Sequence, residues 1–105
     1  MEPLSEPVLL ILLSLAEQPR HGYSILKDVA DVSDGRVMLS TGTLYGALRR
    51  LLDLRWIERF DDEDTSRGKQ AYRLTATGRR NLQAEVSRMK KLTRLAGQRT
   101  VREEA

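Results

Sequence analysis

The sequence has no cysteine and only one histidine, His21. Without thiols there is no disulfide framework, thiolate metal site or cysteine nucleophile, and one imidazole cannot complete a metal centre. There is also no glycine-rich phosphate loop and no serine in a nucleophile elbow, and the carboxylates fall in turns and surface runs with no partner base. The expectation is a protein that is not an enzyme and has no metal and no cofactor. Long hydrophobic runs are missing as well. The most apolar stretch, residues 8–16, is preceded by Glu2 and Glu6 and not by a basic leader. It is far shorter than the roughly 20 residues that span a bilayer, so no membrane partner is expected and the location is expected to be cytoplasmic. What remains is 105 residues, 40% of them apolar, which is enough for one small core.

The net charge of +3 hides an asymmetry. Residues 1–35 carry two basic and six acidic side chains, whereas residues 36–105 carry sixteen basic and nine acidic ones. A chain polarised in this way points to a polyanionic partner.

The hydrophobic pattern predicts four helices and a hairpin. The run at 8–16 reads as a buried helix, with Pro7 tolerated in its first turn and the Pro19 neighbourhood ending it. Because it is apolar on nearly every side, it needs cover on more than one side, and a second subunit is one source. Tyr23, Ile25, Leu26 and Val29 give an amphipathic second helix from His21 to about Val32. After a Ser33-Asp34-Gly35 turn, Ser40 caps a third helix with a buried stripe of Leu44, Leu48, Leu51 and Leu52. Residues 56–60 and 70–74 read as two strands joined by a polar connector at 61–69 long enough to project. Thr75 caps a last helix running to about Ala96, with Leu82, Val86, Met89, Leu92 and Ala96 at helical spacing, and the final nine residues are expected to fray.

This is a mainly α fold with a small β-hairpin: a winged helix-turn-helix over residues 1–75, in which the third helix enters the DNA major groove, followed by one long C-terminal dimerisation helix over 76–105. Winged helices also serve as protein-interaction modules, so the face of the third helix must decide. A merely solvated face would carry long charges of both signs. Here Ser40, Thr41, Gly42, Thr43, Tyr45 and Gly46 are followed by Arg49 and Arg50, small and hydrogen-bonding groups suited to base edges and phosphates.

Three motifs then carry a resemblance: His21-Gly22-Tyr23, the segment at residues 39–51, and Tyr72-Arg73-Leu74-Thr75-Ala76-Thr77-Gly78. In this order and spacing the chain resembles the PadR family of bacterial transcriptional regulators, specifically its compact subgroup with a single C-terminal helix. The resemblance implies a homodimeric repressor that binds an inverted-repeat operator in double-stranded DNA and is released by a hydrophobic small-molecule effector. Such a protein is nucleoid-associated when bound. Two positions depart from the pattern: Thr41 stands where many relatives have proline, and Arg55 where glycine is common as a left-handed helix cap.

Carried over by position, the DNA surface falls on Tyr23, Thr41, Thr43, Tyr45 and Arg49, and on Arg67, Gly68 and Lys69 at the wing. Ser40 and Arg50 join it from their own chemistry. Tyr45 has two readings, a DNA contact or packing against the helix-turn-helix corner. The acidic run at 61–64 is expected at the base of the wing, turned to solvent. His21 reads as a helix-start residue. Leu9 and Leu12 of the first helix, with Leu82, Val86, Met89, Leu92 and Ala96 of the last, are the expected dimerisation residues; pairing there sets two reading helices about 34 Å apart. The last helix has no aromatic residue, so an effector sandwiched between aromatic rings is not expected. The alternative function is a protein-interaction adaptor that binds an acidic partner through the basic last helix without reading DNA.

Overall fold

The computed structural model describes residues 4–60 and 70–101. Their order is α1 (Glu6–Glu17), β1 (Arg20–His21), α2 (Gly22–Val32), α3 (Thr41–Asp53), β2 (Ile57–Phe60), β3 (Ala71–Leu74) and α4 (Ala76–Thr100). Three of the four helices begin on a hydroxyl. Ser5 accepts from the Val8 amide, Ser40 from Thr43 and Thr75 from Gly78, each satisfying a donor that the helix itself leaves open. α2 begins at His21 with no side-chain cap bond.

The core is mostly leucine and isoleucine from four helices, closed by the sheet. Ile11, Leu12 and Leu15 of α1 meet Ile25 and Val29 of α2, Leu44, Leu48 and Leu51 of α3, and Leu82 of α4. Trp56, Ile57 and Tyr72 seal the edge. Each fully buried aliphatic side chain contributes about 1.5–3 kcal/mol. Leu52, expected in the buried stripe, is only half-buried.

Two expectations are corrected. The sheet has three strands, in the order β1-β3-β2 and antiparallel throughout, because Arg20 and His21 pair with Tyr72 and Ala71. A two-residue strand between helices has no alternation to read. The last helix does not fray after Ala96 but continues to Thr100, whose hydroxyl donates to the Ala96 carbonyl. Gly97 is tolerated inside it because one glycine costs only about 1 kcal/mol in a helix.

The junction after α3 is a Schellman closure. The Arg55 amide bonds Leu52 O and the Trp56 amide bonds Leu51 O, which places Arg55 at φ 63°. Thr75 then ties this corner to α4: its amide donates to Trp56 O at 3.0 Å and its hydroxyl to Arg55 O at 2.6 Å.

Candidate nucleic-acid interface

α3 presents one buried and one open face. Leu44, Leu48 and Leu51 are at most 2% exposed, while Thr41, Gly42, Thr43, Tyr45, Gly46, Arg49 and Arg50 all face solvent. A side chain built at Gly46 would meet nothing within 4 Å, and at Gly42 only the Ser40 hydroxyl. The two glycines are therefore gaps through which a large surface can approach the helix backbone. Ser40 accepts from the Thr43 amide at 3.1 Å and donates to the Thr43 hydroxyl at 3.0 Å. The bond pre-orients Thr43 and leaves its own hydroxyl hydrogen free to donate outward. The Thr41 and Gly42 amides stand at the open, positive end of the helix, where an anion is favoured.

Tyr45 packs against the helix-turn-helix corner and keeps one side open. It is 49% exposed, and a Cβ on Gly22 would lie 2.4 Å from its hydroxyl oxygen, so its ring rests on the start of α2 while one side stays open. Gly22 is what lets α3 approach α2 there. Tyr23 is 68% exposed, with the Lys27 ammonium 5.8 Å from its ring centre.

Arg20 holds α2 against α1. Its Nε donates to Ser14 O at 3.1 Å and its Nη1 to the Ser24 hydroxyl at 3.3 Å, while Nη2 pairs with Glu17 and lies 3.7 Å from Asp28. Sequence reading missed this residue; its one signal is a basic side chain among the acids of an otherwise negative segment.

The wing expectations on Arg67, Gly68 and Lys69, and the acidic run at 61–64, lie outside the described residues. The strands that carry that connector are tied down. The Arg73 Nε donates to Glu58 at 2.7 Å while its guanidinium lies over Phe60, and His21 Nδ1 lies 3.2 Å from Gln70 O, a contact that needs the proton on Nδ1.

On the far side, α1 and α4 form a groove of about 450 Å³ lined by Leu9, Leu13, Val86, Met89, Lys90, Thr93 and Arg94. Two of the expected dimerisation residues belong to the core of a single chain. Leu12 and Leu82 are 0% and 4% exposed within a single chain, because they fill its own core and have no surface left to offer. Leu9 and Val86 are half-buried, and Met89, Leu92 and Ala96 are exposed. Leu13 and Leu95, not singled out in the sequence, are 40% and 38% exposed. From Ser87 to Thr100 every residue of α4 is exposed. On the same helix Arg88 donates twice to the Glu85 carboxylate, at 3.0 and 2.7 Å. That bond, assisted by the Leu4 amide, holds Glu85 below the usual glutamate range and raises Arg88.

Three helices, a three-stranded sheet and an uncovered third helix define a winged helix-turn-helix protein. The chain belongs to the PadR-like family of transcriptional regulators, whose model matches residues 11–84. A PadR family transcription regulator from Clostridium difficile superposes with a TM-score of 0.74 at 25% identity, covering 90% of this chain and 97% of that one. Bacillus subtilis PadR in complex with operator DNA gives a TM-score of 0.69 at 18% identity, over 99% of this chain and 50% of that one, and shows the likeness of fold. A 37.1 kDa uncharacterized protein of a Streptomyces fradiae transposon is 35% identical over 85 residues, 81% of this chain; the chain spans only 23% of that relative. Among the described residues no helix is long and apolar enough to cross a membrane, and no group of three or more His, Cys, Asp or Glu is placed to hold a metal.

Proposed function

We propose that the chain acts as a homodimeric repressor that reads an inverted-repeat operator with α3 and is released by a hydrophobic small molecule. The observation that carries this reading is the open face of α3, where Thr41, Thr43, Tyr45 and Arg49 surround two unfilled glycine gaps. Thr43 and Arg49 are the direct readers; Ser40 acts as the cap that aims Thr43; Tyr23, Thr41 and Arg50 contact phosphate. Arg67, Gly68 and Lys69 serve the backbone from the wing. The labour divides near Thr75, residues 1–75 binding DNA and 76–105 pairing subunits. The uncovered length of α4, beside the groove of Leu9, Leu13, Val86 and Met89, supports pairing with a second copy.

The test is a footprint and affinity measurement on the promoter DNA beside its own gene, with Thr43→Ala and Arg49→Ala combined. The double variant is expected to lose about 2–6 kcal/mol of specific binding per subunit, one to three for each lost base contact, while remaining dimeric. Unchanged affinity refutes the reading.

A further inference from the structure

A second groove runs between α1 and α2, sharing Leu13 with the first. It is lined by Leu10, Leu13, Ser14, Glu17, Asp28 and Val32 and has a volume of about 270 Å³. One end is apolar, with Leu13 and Val32 left 40% and 56% exposed. At the other end Glu17 and Asp28 flank the single Arg20 guanidinium, two carboxylates against one cation. That end is left with net negative charge. Ser14, also in the lining, is 2% exposed, and its hydroxyl is the one buried side-chain polar atom among the described residues with no hydrogen-bond partner. A buried hydroxyl without a partner costs stability unless something bonds to it.

We propose that this groove is a binding site for a small hydrophobic amine in its ammonium form. The apolar body lies on Leu10, Leu13 and Val32. The ammonium, with three donors and no acceptor, meets three acceptors: the Glu17 carboxylate, the Asp28 carboxylate and the Ser14 hydroxyl oxygen. The volume is just below the range of roughly 300–1,000 Å³ common for small-molecule sites, so the ligand is small. An anion of the same shape is repelled, and a neutral alcohol cannot draw on the charge.

The test uses the full chain without DNA, so its outcome is independent of the operator reading. Hexylamine hydrochloride, hexan-1-ol and sodium hexanoate are titrated at neutral pH and followed by methyl-resolved NMR. Hexylammonium is expected to shift the Leu10, Leu13 and Val32 methyls and leave Leu9, Val86 and Met89 unmoved. Hexanol is expected to bind about tenfold more weakly, the scale of one charge-assisted hydrogen bond, and hexanoate not at all. Ser14→Ala separates the site from a structural role: it is expected to keep or raise the thermal midpoint, since an unsatisfied group is removed, yet weaken hexylammonium several-fold. Asp28→Asn is expected to weaken hexylammonium and spare hexanol. The inference is overturned by equal affinity for amine and alcohol, by shifts centred on the α1–α4 groove, by an unaffected Ser14→Ala, or by no binding at millimolar amine. Shielding of the Leu13 and Val32 methyls on self-association, with no effect of the amine, assigns the groove to a subunit interface and overturns it too.

Discussion

Gly78 and Arg55 meet at the corner where α3, β2 and α4 join, and they strain the backbone rules in opposite ways. A Cβ on Gly78 would lie 1.9 Å from the Trp56 carbonyl oxygen, a clash with backbone that no rotamer change relieves. Gly78→Ala is therefore expected to destabilise the protein by at least about 1–3 kcal/mol, read as a lower midpoint in urea or thermal unfolding. Arg55 has φ 63° where glycine closes a Schellman motif without penalty. Arg55→Gly is expected to stabilise by about 1 kcal/mol in the same assays, since a left-handed side-chain residue costs roughly 1–2 kcal/mol and glycine returns part of that as entropy. The Arg55 position was visible in the sequence as a departure from a glycine pattern. The need for Gly78 was not, because it depends on a carbonyl 22 residues earlier in the chain.

At the scale of elements, α4 is two objects in one helix. Its first turns belong to the core through Gly78 and Leu82, and from Ser87 onward it has no cover. The spacing of Leu82, Val86, Met89, Leu92 and Ala96 announced an apolar seam but not where along it the chain's own core stops. Met89 lines the α1–α4 groove and is 38% exposed, so Met89→Glu leaves the folded subunit almost untouched. In a two-fold dimer the change enters twice. The dissociation constant is expected to rise at least about tenfold by sedimentation, a penalty of about 1.4 kcal/mol, with the circular dichroism unchanged. The helix starts at Ser40 and Thr75 were legible from residue type alone, because capping is local chemistry. β1 was not, because its two residues become a strand only when β3 lies beside them.

Over the whole molecule, charge and shape are both uneven. The principal extents are 62 × 28 × 21 Å, and along the chain residues 1–35 carry the acidic excess and residues 36–105 the basic one. A dimer reading DNA is expected to lose affinity linearly in log–log plots against salt, since each neutralised phosphate releases counterions. Arg50→Ala, removing one phosphate contact per subunit, is expected to lower that slope by about 2, measured by fluorescence anisotropy over a salt series.

The sequence by itself determined the helices, the caps at Ser40 and Thr75, the winged helix-turn-helix order, the family, and the small polar face of α3, because each is written in local residue chemistry or in motifs at set spacing. Only the tertiary structure decided which apolar residues remain at the surface. Leu12 and Leu82 went inside and Leu13 stayed out, although all three have the same side chain. The physical reason is that helical periodicity gives an apolar residue a direction but not a neighbour. Whether that direction meets the core, a groove or solvent depends on how α1, α2 and α4 pack, and so do the Arg20 clamp and the unpaired Ser14 hydroxyl beside it.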